Sequence, residues 1–305
     1  MNVEGKMSDK KKTLTRRDFL RGTVGATLGV TLVKPEWLKQ SLAAETRTRA
    51  GDRSLVVLIR DQNVLDAALN VNKQVLTGMV ERLLLETTGK KDTKQAWLSL
   101  VSPKDVIGLV PTPMMNPTHA ELLEVIKESL VAAGIPEGNI RNAQGRRVDL
   151  EPITALISVP GLKAHWLTGI GTVIKNYIMY SGAPRNYHYE DSAKLGEIWH
   201  LPQVKGKTRL IIVDALRPVC DKGPQFDPRY RWPYKGLLAS TDPVALDAIG
   251  LKIIQAKRDE LRGEPWPISP PPICIEAADT VYKLGHSRLE NIEIKKIGWD
   301  KDILV

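Results

Sequence analysis

The chain is poor in cysteine and has no long apolar run. Its two cysteines, Cys220 and Cys274, are too few for a disulfide framework, although they can form one bridge in an oxidising compartment. They also cannot supply four thiolates, so we expect no iron–sulfur cluster, and the cofactor is otherwise unknown. No apolar stretch reaches the ~20 residues of a membrane helix. We therefore expect membrane contact only through an uncleaved N-terminal signal.

Standard catalytic signatures are also missing. The chain has no Gly-x-Ser-x-Gly, no His-Glu-x-x-His, no phosphate-binding loop and no Gly-x-Gly-x-x-Gly after a strand. The sequence alone therefore leaves it open whether the protein is an enzyme.

Charge of one sign is in modest excess. The chain carries 44 Lys and Arg against 35 Asp and Glu, a net charge of +9. Residues 1–44 hold nine of the basic and four of the acidic residues, so the remainder carries only +4. That charge is too small to indicate a nucleic-acid partner.

The N-terminus resembles a twin-arginine (Tat) export signal. Arg16 and Arg17 stand between Thr15 and Phe19, and an uncharged, Gly- and Thr-rich stretch covers residues 22–33. We therefore expect a signal peptide over 1–44, cleaved near Ala43 or Ala44 or retained as an anchor, and a linker over 45–53. The Tat machinery is then a partner, and the localisation is periplasmic or otherwise extracytoplasmic.

Residues 54–305 read as one α/β domain. Apolar β-branched runs near 54–60, 105–110, 139–143, 153–159, 209–214, 235–240 and 290–297 predict strands. Helices are expected over 72–86, 119–133, 168–179, 242–261 and 275–284, with Thr118 and Asp242 as N-caps. This alternation predicts a mostly parallel or mixed sheet covered by helices.

The densest polar cluster follows the strand 153–159. Lys163, His165 and Thr168 precede the helix expected from 168, and Lys175 and Asn176 lie within it. Loops at the carboxyl ends of strands bind ligands in open α/β sheets, and a helix start favours anions. The cluster therefore predicts an anion site. The alternative is that both lysines are solvated and that His165 is an ordinary loop histidine.

Three aspartates form further candidates. Asp214 ends the strand 209–214 and suits a metal or hydroxyl ligand, or a loop cap. Asp242, followed by Pro243, is sufficiently explained as a helix N-cap. Asp247 lies five residues further on and does not share its helix face. Two less specific pocket candidates are the segment 187–189 (Tyr-His-Tyr) and His200.

At these positions the chain resembles the family known as domain of unknown function 362. The resemblance is carried by Ile157–His165, Lys175-Asn176, Ile212–Asp214, Gly223-Pro224 and Leu238–Asp247, and it extends over roughly 54–297. It implies that seven residues form one site: Lys163, His165, Lys175, Asn176, Asp214, Asp242 and Asp247.

The chain departs from that family in two places. Many members carry a ferredoxin-like cysteine module, which this chain lacks. Members also tend to have Lys-Pro-Asn after the second strand, where this chain has Val110–Pro113 and a later Asn116. A weaker similarity of 102–147 to lactate-racemase-like proteins concerns the fold alone.

Together these patterns predict an exported protein that binds an anionic small molecule or cofactor. In an enzyme, His165 would be the acid or base, Lys163 and Lys175 would hold the anion, and Asp214 would orient a hydroxyl or metal. The alternative is a non-catalytic binding or assembly protein that is exported folded beside a redox partner.

Overall fold

The computed structural model describes residues 53–145, 152–225 and 227–305, which form one α/β domain. The expected signal peptide, and the linker up to residue 52, lie outside the described residues. Within those residues, no helix combines the length and apolar character needed to span a bilayer.

A nine-stranded mixed sheet forms the centre of the domain. The strands are β1 Ser54–Arg60, β2 Ile107–Pro111, β3 Ile140–Asn142, β4 Ala155–Val159, β5 Gly161–His165, β6 Gly169–Ile170, β7 Thr208–Val219, β8 Gly236–Ser240 and β9 Ile292–Gly298. Their order along the sheet is β3-β2-β4-β7-β8-β1-β9. Strand β8 runs antiparallel to both β7 and β1, whereas the other neighbours along this path are parallel. Strand β5 pairs in parallel with the second half of β7, and β6 pairs with β5 in antiparallel orientation.

Helices cover both faces of this sheet. The described α-helices are α1 Lys73–Thr88, α2 Thr93–Leu98, α3 Ala120–Ala132, α4 Pro243–Arg262 and α5 Ile273–Thr280. Short 3₁₀ segments cover Glu137–Asn139, Ile178–Ser181, Pro184–Tyr187, Tyr189–His200, Pro228–Tyr230 and Leu289–Asn291. The mixed α/β prediction is confirmed, with helix and strand boundaries mostly within a few residues of those expected.

Side chains alternate between two apolar cores along the central strands β1, β7 and β8. In β1, Val56 and Leu58 join the core beneath α4 and α5, whereas Val57 and Ile59 join the core beneath α1, α2 and α3. This period of two is what an extended strand buried on both faces requires. The resulting three layers leave the carboxyl ends of β2 and β4 for polar side chains.

The helix expected over 168–179 is absent, and this prediction was wrong. The chain instead forms β6, a set of turns and the short 3₁₀ segment Ile178–Ser181. Gly169 has φ +75° and its α-carbon lies against Pro270 and Pro272, so a Cβ there would come within 2.5 Å of the Pro270 carbonyl oxygen. A left-handed glycine in this tight contact favours a turn. The site therefore cannot be built on a helix start at Thr168.

Thr118 is also not the cap of α3. The N-cap position is His119, which makes no side-chain cap bond. The Thr118 hydroxyl instead accepts a hydrogen bond from the Thr112 N–H and donates to the Val159 carbonyl. It thereby joins the ends of β2 and β4, where the candidate site lies.

Candidate functional site

Lys163 is buried, so the view of it as a solvated surface lysine is wrong. It is 5% exposed and lies on β5. Its ammonium group donates to the Thr112 hydroxyl over 3.1 Å and to the Gly161 carbonyl over 3.2 Å. Burial lowers the pKa of Lys163 to about 8, against the opposing effect of Asp247 and Asp214. At neutral pH it remains largely a cation in a poorly solvated place.

Lys175 is also buried, at 8% exposure. Its Nζ donates to Nε2 of His188 over 2.9 Å. Burial lowers the pKa of Lys175 to about 7, Cys274 opposes that shift, and the positive charge of Lys163 adds to it. The two lysines are therefore close enough to repel each other.

His165 lies between these groups as a neutral ring. Its Nδ1 accepts a hydrogen bond from the Leu167 N–H over 3.1 Å, and the ring stacks on His188 with centroids 5.7 Å apart. Burial, together with the charges of Lys175, His188 and Lys163, lowers the pKa of His165 to about 2. His165 can thus donate a hydrogen bond from Nε2, but it is a weak base.

We call Lys163, His165, Lys175 and His188 the basic cluster. Two further predicted residues position it. The Asp247 carboxylate, on α4, accepts hydrogen bonds from the Val173 and Ile174 N–H groups, each over 2.8 Å. The Asn176 side chain donates to the Val110 carbonyl and to the Ser158 hydroxyl, at the ends of β2 and β4. Both residues fix the loop that carries Lys175.

Asp214 is paired with a histidine that the sequence did not reveal. Its Oδ2 accepts from the His119 backbone N–H over 2.8 Å and lies 2.7 Å from the ring Nδ1, and its Oδ1 accepts from the Leu216 N–H. Burial would raise the pKa of Asp214, but the His119 contacts hold it below its ordinary value. A neutral His119 that donates from Nδ1 keeps Nε2 as a proton acceptor.

An unsatisfied acceptor lies near Lys163. Asn116 is 6% exposed, and its side-chain oxygen is the buried side-chain polar atom without a hydrogen-bond partner in the described part of the chain. Its backbone has φ +72° and packs against Gly161, whose carbonyl binds Lys163. Buried polar atoms normally find a partner, so this oxygen is available to accept a hydrogen bond from a ligand or a water molecule.

Asp242 is a helix N-cap, as predicted, and it also connects α4 to residues near both ends of the domain. Its Oδ1 accepts from the Val244 and Ala245 N–H groups, and its Oδ2 accepts from the Ser54 hydroxyl over 2.6 Å and from the His286 N–H. Ser54 also contacts Nδ1 of His286 over 2.8 Å. In a hydrolase triad, the histidine bridges serine and aspartate. Here the Ser54 hydroxyl donates to the aspartate itself, and the histidine ring lies 3.6 Å from the same oxygen. We therefore interpret these contacts as structural and call them the latch.

Asp242 therefore lies outside the basic cluster's hydrogen bonds. It borders a separate cavity of about 270 Å³, which is lined by Arg53, Ser54, Leu55, Thr87, Thr88, Lys90, Ser99, Leu100, Ser240, Thr241 and Asp242.

Thr168 is a turn residue, since its hydroxyl donates to the Ile170 carbonyl. Among the Tyr187–Tyr189 and His200 candidates, only His188 joins the basic cluster: Tyr187 donates to Glu197, and His200 contacts the Tyr282 carbonyl.

Cys220 and Cys274 are buried free thiols. The described residues contain no group of three His, Cys, Asp or Glu placed to hold a metal.

The fold and this geometry define an α/β protein with a buried basic site beside the carboxyl ends of two parallel strands. Residues 109–252 match the model of the family described as Domain of unknown function (DUF362). The matched segment includes every site residue that the resemblance implied, and it supports that resemblance. No curated protein and no solved structure matches the chain.

Proposed function

We propose that the basic cluster binds an anionic small molecule. The observation that carries this proposal is the burial of two lysine amines, Lys163 and Lys175, without an ion pair. In the described ranges, neither Nζ forms a salt bridge with an Asp or Glu oxygen within 4.0 Å. Buried charges without a counterion are costly, and a bound anion would offset that cost.

The nearest carboxylates are already committed. Asp247 receives two backbone N–H groups, and Asp214 receives His119 and Leu216. A ligand carboxylate or phosphate between the lysines would gain charge-assisted hydrogen bonds, with the Nε2–H of His165 as a third donor. The free oxygen of Asn116 suits a hydroxyl or N–H on the same ligand.

We further propose that the ligand is a substrate, with His119 in place of His165 as the proton acceptor. The His119–Asp214 pair has the arrangement of an oriented base, whereas His165 is held neutral by burial and its cationic neighbours. Turnover of an anionic compound would favour this enzyme. Binding without turnover, together with co-purification of a redox partner, would favour the non-catalytic alternative.

We also propose that the whole stretch 54–297 belongs to the matched family and that the protein leaves the cytoplasm folded through the Tat route. The export proposal is supported by the Arg16-Arg17 pair and the short apolar stretch behind it. A mutation that keeps the positive charge can test whether the export receptor recognises the arginine pair itself.

Thermal unfolding with and without ligands tests the anion site. Phosphate, simple carboxylates and 2-oxo acids should raise the melting temperature of the parent, and Lys163→Ala or Lys175→Ala should each weaken binding by about 1–3 kcal/mol. Lys252→Ala, an exposed lysine on α4, is the matched control and should respond as the parent does. If no anion stabilises the parent, the proposal is wrong.

A further inference from the structure

The amine of Lys175 has a base beside it, and that base is partly exposed. Its Nζ donates to Nε2 of His188 over 2.9 Å, and His188 is only half-buried. The neighbouring Tyr189 is 61% exposed and its N–H donates to the Leu167 carbonyl. The exposed Trp166 lies one residue before Leu167. Two exposed aromatic residues therefore flank the chain segments that carry His165 and His188.

The groups that face Lys175 favour an uncharged amine. They are the cation Lys163, the buried thiol of Cys274, and the histidines His165 and His188, whose pKa values are lowered chiefly by burial. No carboxylate among the described residues forms an ion pair with it. An amine that is neutral and hydrogen-bonded to an adjacent base meets the two requirements of a lysine nucleophile. Burial lowers its pKa to about 7, so about half of it is neutral at neutral pH.

We propose that Lys175 forms an imine with an aldehyde or ketone that carries an anionic group next to its carbonyl, as in a 2-oxo acid. This inference rests on the proposed anion site, because Lys163 would hold the carboxylate while the adjacent carbonyl carbon faces Lys175. In a 2-oxo acid these two carbons are directly bonded. The Lys163 carbonyl accepts a hydrogen bond from the Gly171 N–H, and the Lys163 N–H donates to the Thr172 hydroxyl, so the two lysines lie on adjacent chain segments.

The chemical step balances without a redox partner. His188 accepts a proton from the Lys175 ammonium group, and the freed nitrogen pair adds to the carbonyl carbon. A C–N bond forms while the carbonyl π bond breaks, and the oxygen takes up a proton. Loss of that hydroxyl as water, with the remaining N–H proton, leaves the C=N bond. Carbon is neither oxidised nor reduced.

Reductive trapping tests the imine. The full-length protein is incubated with glyoxylate or pyruvate and sodium cyanoborohydride, and labelled peptides are mapped by mass spectrometry. We expect one preferred label at Lys175, with a mass increase of one oxo acid less one oxygen atom. Lys175→Arg keeps a cation and should abolish it, whereas Lys252→Arg, at an exposed position of α4, should leave it unchanged.

A separate variant tests the role of His188 as the base, and the melting temperature tests the anion site independently of the imine. His188→Gln should slow trapping about tenfold or more, because it removes the proton acceptor. Labelling of the parent at surface lysines without preference for Lys175 would overturn the imine. If the same oxo acid raises the melting temperature but is not trapped at Lys175, the imine is wrong and the anion site stands. If it does neither, and no other anion stabilises the protein, the anion site is wrong as well.

Discussion

Asp247 and Ile174 connect helix α4 to the loop that carries Lys175. One carboxylate oxygen of Asp247 accepts the Ile174 N–H over 2.8 Å, and the other accepts the Val173 N–H over the same distance. This loop has turns where a helix would have internal hydrogen bonds, so its N–H groups need outside acceptors. A side chain on α4 thus determines where the amine of Lys175 lies.

Asp247→Asn should lower the free energy of unfolding by about 1–3 kcal/mol, because the amide leaves one buried N–H without an acceptor. Urea denaturation of the parent and the variant measures this loss. Glu290→Gln, at an exposed site, is the control and should change stability by less than about 0.5 kcal/mol.

The same variant should change the pH dependence of stability. Burial raises the pKa of Asp247 to about 7 from 3.8, so the folded state keeps a proton that the unfolded chain releases. That contribution is fully present below the unfolded pKa and is lost as the pH rises towards about 7. The parent should therefore lose stability, relative to Asp247→Asn, between about pH 4 and pH 7. Parallel pH profiles would contradict this.

Lys175 should act in the opposite pH direction. Its folded pKa of about 7 lies below the ordinary 10.5, so the folded state releases a proton that the unfolded chain retains. The parent should gain stability from about pH 7 to about pH 10, by about 3–4 kcal/mol, relative to Lys175→Met. Chemical denaturation across that range measures the difference, and Lys252→Met serves as the exposed control. A gain that persists in Lys175→Met would have another source.

The latch at Asp242 should stabilise the folded state. Asp242→Ala removes the cap of the 20-residue helix α4 and two further hydrogen bonds, and should cost about 2–4 kcal/mol. Asp92→Ala, which removes the cap of the six-residue α2, should cost about 1 kcal/mol or less. A double-mutant cycle of Ser54→Ala with Asp242→Ala should give a coupling of about 1 kcal/mol. Additive effects would show that the Ser54 contact contributes nothing.

Export should depend on the identity of the twin arginines. Replacing Arg16 and Arg17 with lysine keeps the charge but removes what the receptor recognises, so translocation should stop. Cell fractionation of the parent and the double variant measures this. Normal export of the double variant would contradict the Tat proposal.

Local features of the fold were predictable from the sequence. Asp242 and Pro243 mark a helix start within two residues, and the apolar run 209–214 marks a strand, since short-range chemistry determines both. The strand order of the sheet was not predictable in this way, because β8 lies between β7 and β1 through long-range pairing. The burial of Lys163 depends on that arrangement, and its residue type gave no indication of it.

The site was only partly predictable for the same reason. The resemblance grouped Lys163, His165 and Lys175 correctly, but it gave no reason to expect that His119 would reach Asp214 across 95 residues. His188 was only a weak candidate, because a histidine between two tyrosines has no pattern that distinguishes a site from a loop. The helix expected over 168–179 does not form, and the acceptor for two of the N–H groups in this segment is Asp247, far along the chain.

Crystallography with a heavy oxyanion tests the central claim most directly. Crystals soaked in low millimolar selenate should show an anomalous peak within hydrogen-bonding distance of Nζ of both Lys163 and Lys175. The peak should disappear in Lys163→Met crystals that are soaked identically. A well-ordered basic cluster without selenate, with peaks only at surface residues, would contradict the proposal that these buried lysines hold an anion.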